Sequence, residues 1–426
     1  MASPGEKVIV ETKDGKHKGI FMESPDSNTI VIKLESGYNI GFDKKQIKSI
    51  KTISKSKNKS IKKPSPKNKK GLKTISILHT GGTIASQVDY ETGAVTAKFT
   101  PEELISMFPE LGDVANIKSR LMRNMASDDM RFAHYNIMAK EIEKEVKAGS
   151  NGIIITHGTD TMHYTASALS FILHNLPIPV LLVGSQRSSD RGSSDAGMNL
   201  ISAAKFISET DFCDVAICMH KNQSDEVCWI LPGTKTRKMH TSRRDAFQPI
   251  NDTPWAEVNY SKVRFLRDDY KQLSKDKKLE LKLIKENLKI GLIKAHPNMF
   301  AKEFEVYENF DGLVLEGTGL GHFPINEIDE FTKEHTKILN VIKKIAKKMP
   351  VVMSPQTIYG RIQMNVYTPG RIIQEIGVIG NYSDMTPETT FIKLAWVLSN
   401  DPKHVNKRME EDLVGELNKR IKTEFV

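Results

Sequence analysis

The sequence predicts an α/β chain in which a small SH3-like β-barrel precedes a two-domain α/β unit with a largely parallel sheet in its larger domain. Three observations predict this architecture. Short apolar–polar alternations with turn signals fill the first fifty residues. Apolar runs alternate with helical patterns from residue 73 onward, and a charge-dense stretch near residue 270 divides those patterns. A chain of 426 residues is longer than one hydrophobic core usually accommodates, so several domains are expected.

The amino-terminal barrel is predicted for residues 1–52. Four or five short strand candidates lie there, including 8–10 and 30–34, and Asp14-Gly15 and Ser36-Gly37 supply turns between them. Barrels of this size bind nucleic acid or protein, or pack only against a neighbouring domain. The sequence leaves these three roles open.

A lysine-rich linker is predicted for residues 53–72. The window from Lys51 to Lys73 holds ten lysines and no acid, and it accounts for the whole net charge of +10, since the remaining basic residues balance the 52 acidic ones. Two interpretations stay open. Like charges could extend a solvated tether, or the lysines could attract a phosphate backbone without sequence preference.

Four further segments complete the chain: a large α/β domain (73–260), a charged inter-domain linker (261–288), a smaller α/β domain (289–400) and a C-terminal helix (401–426). In the large domain the patterns predict strands at 75–78, 152–156, 179–184 and 214–219, and helices at 100–107, 134–146, 161–174 and 196–208. In the smaller domain they predict strands at 290–293, 312–315 and 350–353, and helices at 330–348 and 388–399. Apolar residues at every fourth position from Val405 to Ile421 predict the last helix.

The composition is that of an ordinary soluble protein, with 39% hydrophobic and 27% charged residues. The three cysteines lack a CxxC spacing, which favours reduced thiols and a cytoplasmic location. Neither a signal peptide nor an apolar run of about 18 residues is present, so no membrane contact is expected. His, Cys and carboxylates do not gather at metal-ligand spacings, and there is no Walker loop or GxGxxG, so no metal and no cofactor are expected in this chain.

Two predicted strands end in similar loops that each present a threonine. The apolar run from Ile75 breaks at Gly81-Gly82 and presents Thr83, and the run from Gly152 breaks at Gly158 and presents Thr159-Asp160. The carboxyl ends of neighbouring parallel strands bind ligands in α/β sheets, so both threonines are expected at one site. A threonine hydroxyl needs a base or proton relay to act as a nucleophile, and Asp160 with a nearby lysine could supply one.

The segments TGGTIA at Thr80–Ala85 and HGTDT at His157–Thr161 resemble the two signatures of the L-asparaginase and glutaminase family of amidohydrolases. The resemblance covers residues 74 to 400 or thereabouts and implies an asparaginase-like fold that hydrolyses glutamine or asparagine. It also implies the relay lysine, because Lys238 lies nine residues before Phe247, as in the family, whereas Lys235 does not fit this spacing.

The resemblance implies that Thr83, Thr159, Asp160 and Lys238 are catalytic. One threonine attacks the side-chain amide carbon, and we favour Thr83, although the sequence leaves the choice open. The backbone at Gly82 and Gly158 would hold the oxyanion, while the other catalytic groups move protons as ammonia leaves and water releases the acid.

The resemblance also suggests substrate-binding residues. Tyr90 lies in a loop that could close over the site, or it is an ordinary exposed tyrosine. Ser127 lies in a segment that holds the amino acid in the family, with a helix N-cap as the alternative. Asp128 stands where the family often has glutamine, so it could pair with a substrate ammonium group or indicate a changed substrate. The motifs at 184–187 and 195–199 are interpreted as scaffold.

The amino-terminal module is similar to that of family members that act as glutaminase subunits of tRNA-dependent amidotransferases. This implies glutamine as the ammonia donor and an obligate complex with a kinase-transamidase E subunit. That subunit would bind ATP and Mg and would hold the site for Glu-tRNA(Gln). A homodimeric core within a heterotetramer is expected. Two alternatives remain: a free-standing L-asparaginase, and a non-catalytic nucleic-acid-binding protein on a decayed hydrolase scaffold.

Overall fold

The computed structural model describes residues 6–22, 28–34, 39–54, 68–82, 84, 86–88, 95–97, 104–105, 107–187, 194–274 and 276–420. These residues form an amino-terminal β-sheet module, a larger α/β domain and a smaller α/β domain. No helix among them is both long and apolar enough to cross a bilayer.

The amino-terminal module is a five-stranded antiparallel sheet. Its strands are β1 (Lys7–Thr12), β2 (Lys16–Met22), β3 (Thr29–Leu34), β4 (Asn39–Asp43) and β5 (Ile47–Ser54), in the order β4-β3-β2-β1-β5, with a 3-10 turn at Lys44–Gln46. Burial alternates along β1 because successive side chains point to opposite faces. Val8, Val10, Ile32 and Phe42 therefore form a small core of their own.

The larger domain is built on an eight-stranded mixed sheet. The strands of the whole domain are β6 (Thr74–His79), β7 (Ser86–Val88), β8 (Val95–Ala97), β9 (Asn116–Leu121), β10 (Gly152–Thr156), β11 (Leu173–His174), β12 (Val180–Val183), β13 (Val215–His220), β14 (Cys228–Pro232), β15 (Thr236–Lys238), β16 (Phe247–Pro249), β17 (Ala256–Val258), β18 (Val263–Phe265) and β19 (Glu280–Leu281). The pairs β7-β8, β11-β19 and β15-β16 form separate two-stranded sheets. The large sheet has the order β18-β17-β14-β13-β12-β10-β6-β9. The five strands from β9 to β13 in that order are parallel, and β14, β17 and β18 add an antiparallel extension.

Helices cover both faces of this sheet. They are α1 (Leu111–Val114), α2 (Phe132–Lys147), α3 (Met162–Ile172) and α4 (Ala196–Glu209), with a 3-10 turn at Ser127–Asp129. Strand β10 shows how one sequence serves two cores. Ile153 and Ile155 pack with residues of α2 and α3, whereas Ile154 packs with residues of α4 on the other face.

The smaller domain has a parallel three-stranded sheet, β20 (Ile290–Lys294), β21 (Gly312–Gly317) and β22 (Val351–Pro355). Its helices are α5 (Lys302–Glu305), α6 (Lys333–Ala346), α7 (Thr368–Glu375), α8 (Pro387–Asn400) and α9 (Val405–Glu410), with 3-10 turns at Val306–Asn309 and Pro402–His404. Thr386 caps α8 by accepting a hydrogen bond from the Thr389 backbone N–H at 3.2 Å. Helix α8 joins the two domains, since Trp396 packs against Phe171 of α3 at a ring distance of 5.8 Å.

The structure confirms the predicted fold class, a β-rich amino-terminal module followed by two α/β domains with a largely parallel sheet in the larger one. The start of the predicted charged linker is wrong. Val263–Phe265 forms β18 and pairs with β17, so the large sheet continues beyond residue 260. Residues 55–67 of the lysine-rich linker lie outside the described residues, as does most of the helix predicted at 100–107, of which Leu104, Ile105 and Met107 are described as helical.

The predicted C-terminal helix is also wrong for residues 411–420, because α9 ends at Glu410. Residues 421–426 lie outside the described residues. The carboxylate of Glu416 turns back to accept hydrogen bonds from the backbone N–H groups of Leu413 and Val414, and Gly415 has a φ of +87°. These local bonds replace the helical ones. Leu413 and Leu417, which suggested the helical period, instead pack at the margin of the large core.

Candidate active site

The two threonine-bearing loops lie against each other. Strands β6 and β10 are parallel neighbours with His79 paired to Thr156, so the loops that follow start side by side. Gly82 has a φ of +80°, and a Cβ atom added to it would lie 2.6 Å from the backbone nitrogen of Gly158. Only glycine permits this approach. The two motifs, far apart in the sequence, therefore meet at one point.

Thr83 and Tyr90 both lie outside the described residues. The residues that flank Thr83 are described. Gly82 contacts the second motif, and Ile84 is buried in the core that also contains Ile75 and Ile77 of β6. The first motif is thus tied to the second on one side and to the hydrophobic core on the other.

Lys238 connects Thr159 and Asp160. Its Nζ atom donates to the Thr159 hydroxyl oxygen at 2.8 Å and to the Asp160 carboxylate at 2.7 Å. The lysine side chain is 9% exposed, whereas that of Asp160 is 64% exposed. Lys238 ends β15 and pairs with Phe247 on β16, and the fully buried Phe247 anchors the hairpin. An amine that contacts both a hydroxyl and a carboxylate forms with them a unit that can exchange protons.

Lys235 is placed differently. It is fully buried, and its Nζ atom lies 2.8 Å from the carboxylate of Asp384 in the smaller domain. Burial lowers its pKa, and the nearby carboxylate opposes that shift. Only two residues, Thr236 and Arg237, thus separate the lysine that contacts Thr159 from the lysine that bridges the two domains.

The two motifs interpreted as scaffold, at residues 184–187 and 195–199, pack against the loop that carries Thr159. The buried Asp195 accepts hydrogen bonds from the backbone N–H groups of Gln186 and Arg187, and Asn199 donates to the carbonyl of Gly184 at 3.0 Å. A Cβ atom added to Gly184 would lie 2.8 Å from the Thr159 methyl carbon. This network therefore sets the surface on which Thr159 rests.

Ser127 is buried against the second motif. A Cβ atom on Gly158 would lie 2.9 Å from that of Ser127, and the Thr161 hydroxyl donates to the Ser127 carbonyl at 2.7 Å. The alternative of a helix N-cap is wrong, since Ala126 precedes the 3-10 turn and Arg131 precedes α2. Asp128 is exposed on the same turn.

His157 holds the loop from within the core. Its Nδ1 atom lies 2.7 Å from the Gly158 carbonyl, and its Nε2 atom lies 2.9 Å from the Thr165 hydroxyl. Burial lowers the pKa of His157 to about 4, so the ring is neutral. With Nδ1 donating to the carbonyl, Nε2 accepts from Thr165, and the histidine acts as a rigid brace.

A cavity of about 390 Å³ beside Lys238 contains groups that the sequence did not reveal. Arg237 donates to the nearly buried carboxylate of Glu388 at 2.7 Å, and His163 lines the same space with its pKa lowered to about 4 by burial. The full lining comprises Asp160, His163, Tyr164, Arg237, Lys238, Met239, His240, Thr241 and Glu388. Glu388 follows Pro387 at the start of α8, where acidic residues are common in the first turn of a helix. Its sequence position therefore gave no indication that it lines a cavity.

Among the described residues, no group of three or more His, Cys, Asp or Glu side chains is placed to hold a metal ion. Cys213, Cys218 and Cys228 are buried free thiols.

Comparison with known families accounts for most of the chain. Residues 74–271 match the asparaginase N-terminal family, residues 289–409 match the glutaminase/asparaginase C-terminal domain, and residues 2–53 match the GatD N-terminal domain. Solved L-asparaginases share the fold. The thermostable enzyme from Thermococcus kodakarensis has a TM-score of 0.70 at 30% identity and covers 82% of this chain and 100% of its own. L-asparaginase I from Vibrio cholerae has a TM-score of 0.70 at 28% identity, over 82% and 99%. The fold and the family matches are those of an asparaginase-type amidohydrolase.

Full-length relatives refine this class. The D subunit of glutamyl-tRNA(Gln) amidotransferase from Pyrococcus furiosus is 44% identical over 427 residues, covering 96% of this chain and 93% of the relative. The protein of the same name from Methanococcus maripaludis strain C5 is 44% identical over 431 residues, covering 99% of each. The chain therefore belongs to the asparaginase/glutaminase family, in the branch of the amidotransferase D subunits.

Proposed function

We propose that this chain hydrolyses glutamine, with asparagine as the alternative amide, and supplies the ammonia that converts Glu-tRNA(Gln) to Gln-tRNA(Gln). The observation that carries the proposal is the contact of Lys238 with both Thr159 and Asp160, at the point where Gly82 touches the second motif. An amidohydrolase needs a hydroxyl with a proton relay beside it and backbone N–H groups where the oxyanion forms.

The proposed reaction has two stages. The hydroxyl of Thr83 attacks the carboxamide carbon, its proton passes to the leaving nitrogen, and the C–N bond breaks to release ammonia and an acyl-enzyme. Water then attacks the ester, and the Thr159, Asp160 and Lys238 unit accepts and returns the protons. Backbone N–H groups at Gly82 and Gly158 stabilise the oxyanion, a contribution of about 10²–10³ in rate.

Substrate binding is assigned to the groups around this point. Ser127 and Asp128 lie on the turn beside Gly158, where the carboxylate of Asp128 can pair with a substrate ammonium group. Tyr90, which lies outside the described residues, is assigned to assist the first threonine. Removing the charge of Asp128 should therefore raise KM for glutamine more than it lowers kcat.

The proposed assembly follows from the names of the relatives and from the amino-terminal module. An E subunit with kinase and transamidase activity binds ATP, Mg and Glu-tRNA(Gln) and consumes the ammonia. This chain contributes a homodimeric core to a heterotetramer in the cytoplasm. Light scattering of the purified complex tests the stoichiometry.

The decisive test compares ammonia release by the chain alone and by its co-purified complex, on glutamine and on asparagine, with and without Glu-tRNA(Gln). The proposal expects glutamine turnover that rises in the complex and rises again with the aminoacyl-tRNA. Fast asparagine hydrolysis by the chain alone, indifferent to partner and tRNA, would instead identify a free-standing asparaginase. Removal of residues 1–72 should abolish the coupling in the first case and leave turnover intact in the second.

A further inference from the structure

The C-terminal strap, defined as residues 411–420, is irregular but firmly held. Glu416 is fully buried, and its carboxylate lies 2.6 Å from the Nζ atom of the equally buried Lys393 on α8. Lys393 also donates to the carbonyl of Met409 at 3.2 Å. Separating a buried charge pair leaves an uncompensated charge in the interior, which is strongly destabilising, so the segment that carries Glu416 is held against α8. The match to the glutaminase/asparaginase C-terminal domain ends at residue 409, just before the strap begins.

The strap contacts both α/β domains. The Thr234 hydroxyl donates to the carbonyl of Gly415 at 3.3 Å, which ties the strap to the larger domain. Asn418 contacts the smaller domain, where its backbone N–H and its side-chain amide donate to the Asp384 carboxylate at 3.1 and 2.8 Å. The same amide donates to the carbonyl of Asn251 at 2.5 Å. A single asparagine thus links the two domains.

These contacts converge on the base of the hairpin that carries Lys238. Asp384, which accepts from Asn418, also binds the buried Lys235 immediately before β15. Asn251 lies just after β16 and donates to the Asp384 carbonyl at 2.9 Å. The backbone N–H of Ile250 donates to the carbonyl of Lys235 at 2.7 Å and closes the hairpin. Both ends of the β15–β16 hairpin are therefore fastened to Asp384, the residue that the strap holds.

Thr159 and Asp160 are held by different elements. They follow β10, and Thr159 rests on Gly184. The position of the Lys238 amine relative to Thr159 therefore depends on how the hairpin is set against the β10 loop. A displacement of about 1 Å between reacting groups can reduce a rate by about 10²-fold.

We propose that the C-terminal strap is a positioning element for Lys238, acting through Asn418, Asp384 and Lys235 on the base of the β15–β16 hairpin. The inference rests on the proposed function, in which Lys238 relays protons. It makes the geometry of the amidohydrolase site depend on how the strap is held.

The test compares Asn418→Leu, which removes the side-chain donors, with Lys419→Leu, its exposed neighbour on the strap. A third variant ends the chain at Glu410 and carries Lys393→Met, so that the strap is absent without leaving a buried unpaired lysine. Each is prepared in complex with its co-purified partner. Steady-state glutamine hydrolysis, the melting temperature, and labelling of the Lys238 amine by an amine-reactive ester, read by peptide mass spectrometry, are then measured.

Asn418→Leu and the truncated variant should lower kcat by about 10-fold or more with KM changed less than about twofold, because the substrate-binding groups lie on other elements. Labelling of Lys238 should rise several-fold in both, and Lys419→Leu should match the unsubstituted chain. Equal kcat and equal labelling in Asn418→Leu and Lys419→Leu would overturn the proposal, as would a kcat loss that only follows the fraction unfolded. If the unsubstituted complex releases no ammonia from glutamine, the proposed function fails, and the labelling comparison still decides the role of the strap.

Discussion

The Nζ atom of Lys238 lies 2.8 Å from the hydroxyl oxygen of Thr159, although the two residues are 79 positions apart in the sequence. The contact is possible because a parallel strand, β10, delivers the threonine and a separate hairpin, β15–β16, delivers the lysine. The carboxylate of Asp160 forms a salt bridge with the amine at 2.7 Å. The amine, the hydroxyl and the carboxylate can therefore exchange protons without any large movement of the chain.

Replacement of Lys238 by methionine should lower glutamine hydrolysis by about 10²–10⁴-fold, the usual contribution of a positioned proton-transfer group. Methionine keeps most of the side-chain length and apolar packing, so the fold should persist. The rate of ammonia release and the melting temperature are the measurements. Lys262→Met, at an exposed lysine, serves as the control and should leave the rate unchanged. Activity within threefold of the unsubstituted chain would remove Lys238 from the mechanism.

Two substitutions at Thr159 separate its hydroxyl from its methyl group. Thr159→Val retains the carbon that contacts Gly184 but loses the hydroxyl, and should lower hydrolysis by about 10²-fold with little change in stability. Thr159→Ser retains the hydroxyl and should keep most of the activity, at a loss of about 1 kcal/mol for the missing methyl. Turnover and chemical unfolding are measured on both. A serine variant as inactive as the valine variant would contradict the assignment.

Gly82→Ala should abolish activity because the added methyl would meet the backbone of Gly158 at 2.6 Å. Gly149 offers a matched control, since its φ of +82° is nearly the same but nothing lies within 4 Å of an added Cβ. Gly149→Ala should lose only about 1–2 kcal/mol of folding free energy, the strain of a left-handed alanine. Unfolding midpoints and rates of glutamine hydrolysis are measured for both variants. The difference between the variants isolates the effect of the contact between the two motifs. Equal effects of the two substitutions would show that this contact is unimportant.

Three buried histidines should make the protein less stable as pH falls. Burial lowers the pKa of His79, His157 and His163 to about 4, below the value of 6.5 expected in the unfolded chain. The unfolded state therefore binds more protons between pH 6.5 and 4, so the free energy of unfolding falls through this window, by up to about 1.4 kcal/mol per pH unit for each histidine.

The measurement is denaturant unfolding at several pH values. The slope of the free energy of unfolding against pH gives the number of protons taken up on unfolding. His157→Gln should reduce that number by close to one. His296→Gln should leave this slope unchanged below pH 6.5. His296 is exposed, and the Pro297 carbonyl and Glu303 raise its pKa, so its protonation affects stability only above pH 6.5. If the free energy of unfolding of His157→Gln depended on pH as steeply as that of the unsubstituted chain, His157 would not contribute to the loss of stability in acid.

The sequence predicted the elements whose signals are local. The β-branched runs at 152–156 and 75–78 and the glycines that follow them indicated two strand ends at one edge of a sheet, and β6 and β10 are indeed parallel neighbours. The choice of Lys238 among several lysines came from the nine-residue spacing to Phe247 and not from the chemistry of the side chains. The same segment contains Lys235, whose partner Asp384 lies 149 residues away and left no local trace.

The parts that sequence reasoning missed depend on long-range contacts or on local bonds that override a periodic pattern. Glu388 meets Arg237 across 151 residues. Apolar residues at fourth positions favoured a helix to the end of the chain, but Glu416 competes for the backbone N–H groups there and is compensated by the distant Lys393. Short strand β18 was assigned to a linker because its three residues lie between charged side chains.

Transfer of the amide nitrogen tests the central claim most directly. The purified complex is given glutamine labelled with ¹⁵N at the side-chain amide, together with ATP, Mg and Glu-tRNA(Gln), and the isotope is measured in the glutamine released from the tRNA. The account predicts that the unsubstituted complex incorporates the label, and that a complex carrying Lys238→Met does so only with added ¹⁵N-ammonium chloride. Incorporation from glutamine that persists undiminished in the Lys238→Met complex would contradict it.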